Sequence, residues 1–414
     1  MSVSHREELV FLLNQAAELE HSLSCSYLFT AFSLKSSVEE GLPPETVDKV
    51  LTWKRSITQV AIEEMFHLAV VNHLLTAVGA APHFDRPNFP HDFAYYIPDF
   101  QIELRPFNEP VMEHFIAVEQ PEGSNLPAHT APERLQRIEG DLDNEIGADP
   151  MQFDSQGDVY NIIQAGLKYL VALFGGEEQV FIGPPPRPAL RAFFESNGWQ
   201  TMTNLESTFR NLAHVVEQGE GDSSNNPNSH YASFNRILRE YRELKARDPG
   251  FEPARPVLEN PFARTPPEAM GPVNLIDDDD TIRVSDLFNE AYVAMLQLLA
   301  RFFVTTDETD KEASTLNDAA VNVMIGALVP LGELLARMPA GPSNPGRTAG
   351  PSFVVRVLHP LPYKDAAWRM LRERFNELAT YTERLAARRG SLAPLSDVAA
   401  AFRRTEDALV QESV

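Results

Sequence analysis

A single thiol, Cys25, is present in the 414 residues of this chain. That scarcity excludes an internal disulfide framework and any cysteine-rich zinc or iron–sulfur site, and it fits a reducing compartment. Long apolar runs are also missing. Nowhere do about 20 uninterrupted apolar residues stand together, so no membrane partner is expected. The opening MSVSHREELVFLLNQ lacks the basic start, apolar run and small-residue cleavage site of a secretory signal, and a cytoplasmic protein is expected. Positive charge is the third shortage. There are 35 Lys and Arg against 59 Asp and Glu, a formal charge of −24, with no basic run that would track a phosphate backbone. Nucleic-acid binding is therefore not expected. Apart from Asp277–Asp280 the acids are dispersed, the ordinary mark of a solvated surface.

What the chain does have is helical spacing. With 43% hydrophobic residues it can bury a sizeable core. Apolar stripes at alternating steps of three and four predict helices over 5–36, 45–79, 157–174, 203–219 and 229–246. Residues 80–156, opening with PHFDRPNFPHDFAYYIPDFQIELRPFNEP, carry repeated prolines that interrupt any long helix. A loop that long is expected to wrap the bundle, to hold a brief helix at 110–118 and to contribute substrate contacts. The Pro-rich stretch DPGFEPARPVLENPFARTPPEAMGP then leads to helices over 284–304, 313–338, 362–389 and 395–411. The expected division is a bundle over 1–250 and a helical extension over 251–414, nearly all α.

Two of the stripes contain charge where the pattern assigns core. The second helix reads Val50, Trp53, Ile57, Val60, Glu64, His67, Val71, Leu74, Val78, and the first reads Leu9, Leu13, Ala16, Glu20, Leu23, Tyr27, Ala31, Leu34. An unpaired carboxylate in such a seam costs several kcal/mol, so each requires a partner. Glu64 and His67 stand three residues apart on one face, where one metal ion can take a carboxylate oxygen and an imidazole nitrogen together. Helical bundles that hold two iron or manganese ions set a lone Glu of one helix opposite a Glu-x-x-His of another.

The remaining donors are less sharply defined by pattern. Asp158 heads the stripe Asp158, Ile162, Ala165, Tyr169, Leu173, and His230 heads His230, Phe234, Ile237, Tyr241, Leu244. The fourth helix opens with the capping box Thr203-x-x-Glu206 and ends in VVEQGEG, which leaves Glu217 and Glu220 both open as donors. The plainer reading is a set of buried acids bridged to arginines such as Arg210 or Arg236. A lone buried Glu is more often half of a salt bridge, and a lone His on an apolar face is usually a satisfied core residue. Glu20, Glu64 and His67 in adjacent seams favour the metal. His21, His73 and His214 read as structural or exposed, and Tyr27 and Tyr160 as core residues within reach of a ligand.

At ELEHSLSCSYL, EEMFHLAVVNHLLTAVGAAPHF, IELRPFNEPVMEHFIAVEQPEG, GDVY, VVEQGEG, HYASF and AGPSF the chain resembles, in this order, a ferritin-like family. That family includes the ferritin-like domain of iminophenyl-pyruvate dimer synthases from bisindole pigment pathways. The resemblance covers roughly 8–355. It implies a ferritin-like four-helix bundle with a long Pro-rich insertion and a C-terminal helical extension. It also implies metal ligands at Glu20, Glu64, His67, Asp158, Glu217 and His230, with Asp158 standing where the family usually has Glu. The expected function is a dinuclear, non-haem iron or manganese oxidase or oxygenase, with two ions per chain. It would act with dioxygen on a small organic substrate such as an amino acid or imine of secondary metabolism. A ferroxidase and a non-catalytic helical binding module are the alternatives. Oligomeric state is left open, a homo-oligomer included.

Overall fold

Helix α1 (Arg6–Ser33) starts where His5 and Glu8 cap each other. The Glu8 N–H donates to His5 Nδ1 over 3.4 Å and the His5 N–H to Glu8 Oε2 over 3.3 Å. It ends where Arg255 donates to the free carbonyls of Phe32 and Leu34, at 2.8 and 2.6 Å. Helix α2 (Val47–Ala77) packs along it as the central pair. Every residue of the two expected seams is buried, the charged ones included.

The computed structural model describes residues 3–92, 101–121, 156–220, 226–265, 273–304, 307–388 and 390–411. Within 80–156 a two-residue antiparallel pair, β1 (His91–Asp92) with β2 (Gln101–Ile102), precedes helix α3 (Glu109–Val118). Asn108 caps α3 by accepting from the Val111 N–H at 2.9 Å, and Pro110 occupies the first turn, where its missing N–H costs nothing. Much of the expected wrapping segment lies outside the described residues.

Helices α4 (Gln156–Phe174), α5 (Pro188–Ser196), α6 (Leu205–Glu220) and α7 (His230–Arg247) complete the first half. α4 packs on α1 and α6, α6 on α2 and α7, and α3 on α7. One expected face and one expected cap are corrected. On α4 the buried stripe is Val159, Ile163, Leu167, Leu170, while Tyr169 and Leu173 of the expected stripe are 47% and 53% exposed. On α6 the core face is Thr208, Leu212, Val215, Gly219, and the cap is Asn204, whose Oδ1 accepts from the Ser207 N–H at 2.9 Å, rather than Thr203.

In the second half, a parallel pair of two-residue strands, β3 (Pro261–Phe262) and β4 (Asn274–Leu275), precedes α8 (Asp279–Phe303). The Asp277–Asp280 run is not idle surface. Asp278 caps α8 through the Thr281 N–H (2.9 Å), and the acids of the first turn sit at the positive end of the helix dipole. Next come α9 (Asp310–Val323), one π turn (Met324–Leu328) and α10 (Val329–Leu335). Pro330 follows that wide turn, where it leaves no α-type bond to lose. By composition Asp310–Leu335 is apolar enough to cross a membrane, yet Leu316, Ala320, Val323, Ala327 and Leu331 are buried in the core. Helices α11 (Lys364–Ala386) and α12 (Leu395–Gln411) close the chain as a packed pair. One buried apolar cluster runs from Leu9 of α1 to Leu409 of α12, so both halves share it.

Candidate metal centre

The seam of α2 delivers Glu64 and His67 to the middle of the bundle, α1 brings Glu20 against them, and α7 brings His230 at its first residue. Capping positions that histidine: Ser229 accepts from the Ala232 N–H at 3.1 Å and fixes where the helix begins. A fifth donor was not anticipated. Glu119, the residue that ends α3, is fully buried and reaches the same place. Among the described residues the donors form two groups, Glu20–Glu64–His67 and Glu64–Glu119–His230, whose ligand atoms lie within 4.8 Å of one another in each. Glu64 belongs to both.

The contacts divide into inward and outward sets. Inward, His67 Nδ1 lies 3.0 Å from Glu64 Oε2 and 3.5 Å from Glu20 Oε2, while His230 Nδ1 lies 2.9 Å from Glu64 Oε1 and 3.4 Å from Glu119 Oε2. Outward, His67 Nε2 faces Gln218 Oε1 and His230 Nε2 faces Glu63 Oε2, both at 3.0 Å. An acceptor at each Nε2 places the ring proton there and leaves each Nδ1 free to ligate. The Tyr27 hydroxyl donates to Glu119 Oε1 at 2.5 Å, and the Tyr160 hydroxyl donates to Glu20 Oε1. Each carboxylate so held turns its other oxygen inward.

Protonation compensates this charge when no cation is present. Burial opposes the charged form of His67, but the Glu64 and Glu20 carboxylates outweigh it and push its pKa up to about 10. His230 is likewise raised, against burial, by Glu64 and Glu119. Burial together with the Glu64 charge pushes Glu20 up to about 8. Even so, Glu64 Oε1, Glu119 Oε2 and His230 Nδ1 are buried with no aligned hydrogen bond. Three oriented, unsatisfied donors from one group are what a cation with oxygen and nitrogen ligands requires. The arginine alternative fails on placement: Arg210 pairs with Glu206 at 3.0 Å, and Arg236 donates to Ser56 at 3.3 Å.

Other expected ligands lie elsewhere. Glu217 is on the solvent face of α6, because Leu212 and Val215 turn the opposite side to the core. Glu220 is buried but accepts from the Gly157 N–H at 2.5 Å, and Asp158 is half-buried in the first turn of α4. None of the three joins either group. A signal for Glu119 was present in the sequence: it follows Phe115 and Ile116 at steps of four and three, a seam position like that of Glu64.

A ferritin-like family model matches residues 13–239, more than half the chain and every donor of the two groups. The chain belongs to the ferritin-like family. Among curated proteins this ferritin-like chain is 31% identical to dichlorochromopyrrolate synthase of Lentzea aerocolonigenes, over 91% of its own length and 39% of that protein's. It is 25% identical to 2-imino-3-(indol-3-yl)propanoate dimerase of Chromobacterium violaceum, over 84% of its length and 34% of that protein's. The chain thus spans well under half of these relatives, in keeping with the resemblance to dimer-synthase domains. A solved ferritin-like protein from Caulobacter vibrioides superposes on 73% of this chain and 89% of its own at a TM-score of 0.46 and 17% identity.

Proposed function

We propose that this ferritin-like chain is a dinuclear-metal oxidase module that uses dioxygen on a small organic substrate, an imino acid derived from an aromatic amino acid. The observation that carries the reading is the shared carboxylate: Glu64 contributes one oxygen to each donor group, the arrangement that brings two ions together. Glu20 and His67 would hold one ion and Glu119 and His230 the other. Iron suits mixed carboxylate and imidazole donors, and manganese is the second choice. When bound, a pair of redox metals supplies the electron transfer to dioxygen that protein side chains cannot perform.

The chain's own residues set the geometry. Tyr27 and Tyr160 anchor the outer oxygens of Glu119 and Glu20, and Gln218 and Glu63 orient the two imidazoles. Burial keeps bulk water from the inward oxygens, since Glu20, Glu64, His67, Glu119 and His230 are all fully buried. The substrate class rests on the name of one relative, a 2-imino-3-(indol-3-yl)propanoate dimerase, beside a second that is named as a dichlorochromopyrrolate synthase. Joining two such molecules removes two protons and two electrons, with dioxygen as acceptor.

The test is anaerobic loading with ferrous iron, metal analysis after desalting, and oxygen uptake with an arylimino acid generated in place. About two ions per chain and substrate-dependent uptake are expected. A load below about half an ion per chain would remove the metal reading. A full load without substrate-dependent uptake would remove the substrate class.

A further inference from the structure

The two donor groups of the metal centre match contact for contact on their inner side. They share Glu64, and each adds one carboxylate whose outer oxygen accepts from a tyrosine hydroxyl, Tyr160 on Glu20 and Tyr27 on Glu119. Each histidine sets its Nδ1 against Glu64, at 3.0 Å for His67 and 2.9 Å for His230, and against the added carboxylate, at 3.5 and 3.4 Å. The two imidazole rings lie 5.5 Å apart and 28° from parallel. A difference between the groups has to come from outside this inner set.

It does, at the far nitrogen of each ring. His67 Nε2 lies 3.0 Å from Oε1 of Gln218 on α6, a neutral amide, whereas His230 Nε2 lies 3.0 Å from Oε2 of Glu63 on α2, a carboxylate. Gln59, one turn earlier on α2, steadies that carboxylate by donating to its other oxygen at 2.9 Å. With the distances equal, the chemistry of the acceptor decides. A charged acceptor draws the ring N–H more strongly than an amide oxygen does and makes the opposite nitrogen the more basic ligand. An ionised carboxylate can also only accept, so His230 keeps its proton at Nε2 and its Nδ1 open. The Gln218 amide has a donor end as well, and a half-turn of it sets an N–H against His67 Nε2 and drives the ring proton to Nδ1. The position beside His67 must therefore select a tautomer that the position beside His230 already holds.

We propose that the two metal positions are unequal, and that Glu63 makes the Glu64–Glu119–His230 position the one that fills first and holds its ion more tightly. The inference rests on the dinuclear reading above and adds to it a positioning residue, Glu63, that acts through His230.

The experiment is titration of the intact chain with manganese(II), the free ion being counted by its electron paramagnetic resonance signal, so that no turnover is involved. Repulsion between two bound ions splits even equal constants, and single-position proteins therefore carry the comparison. Glu20→Ala keeps the three donors of the His230 position, and Glu119→Ala keeps those of the His67 position. The first should bind one ion at least about tenfold more tightly than the second. Glu63→Gln added to Glu20→Ala should weaken binding about 10–100-fold, and added to Glu119→Ala it should change nothing. Gln218→Glu added to Glu119→Ala should tighten binding about tenfold, a gain that a merely structural role of the outer residues does not produce. Equal affinities of the two single-position proteins, the reverse order, indifference of the His230 position to Glu63→Gln, or no gain from Gln218→Glu would overturn the proposal. A wild-type chain that binds no manganese at millimolar ion would remove the dinuclear reading and this proposal together, whereas two bound ions with equal single-position affinities would remove this proposal alone.

Discussion

Replacing Glu64 by alanine removes one carboxylate from both donor groups at once. Its Oε2 is 3.0 Å from His67 Nδ1 and its Oε1 is 2.9 Å from His230 Nδ1. The variant keeps Glu20 with His67 and Glu119 with His230, two donors for each ion, and two donors hold a divalent first-row metal weakly. With free metal at a hundred times Kd, each site stabilises the folded protein by about 2.7 kcal/mol, so the wild type should gain roughly 5 kcal/mol from two. The variant should gain less than about 1 kcal/mol. A separate cost appears without metal, because Glu64 faces both buried imidazoles and loss of one partner of a buried pair costs about 3–5 kcal/mol. Urea unfolding of both proteins, in chelator and in anaerobic ferrous iron, separates the two effects, and metal analysis gives the load directly. If the variant retained two ions per chain, or if iron stabilised it as much as the wild type, Glu64 would not be the shared donor and the reasoning would fail.

Tyr27→Phe removes the hydroxyl that donates to Glu119 Oε1 while leaving the ring packed between Phe115 and Phe234. Metal should bind about 10–100-fold more weakly at the Glu119–His230 site with the fold intact, read by competition against a coloured chelator; an unchanged affinity would deny that hydroxyl its orienting role. His73 tests the fold rather than the site. Burial pushes its pKa from 6.5 down to about 4, and its Nε2 accepts from the Met202 N–H at 2.9 Å. A depressed folded pKa means that this stability is complete above about pH 6.5 and is lost as pH falls toward 4, by about 3 kcal/mol in all. His73→Gln, which keeps an acceptor but does not titrate, should flatten that part of the pH dependence in urea unfolding, and identical slopes for both proteins would refute the assignment.

Periodicity was enough for much of this molecule. The expected stripes of α1, α2 and α7 lie in the core, so Glu20, Glu64, His67 and His230 were readable as core positions, and a buried acid requires a partner wherever it occurs. The ferritin-like helices, their order and the short helix after the proline-rich stretch follow from the same local rules of spacing and capping. α4 and α6 carry apolar residues on more than one face, and nothing local chooses between them. Contact with α1 sent Val159, Ile163 and Leu167 inward and left Tyr169 and Leu173 in solvent, and packing of Leu212 and Val215 turned Glu217 outward. Glu119 lies at a helix end, beyond where a stripe can be extended with authority, and only the docking of α3 on α7 sets it beside His230. Local periodicity therefore determined which faces are apolar, while the choice among competing faces, and every meeting of distant residues, belongs to tertiary packing, because only there do separate helices bury surface against one another.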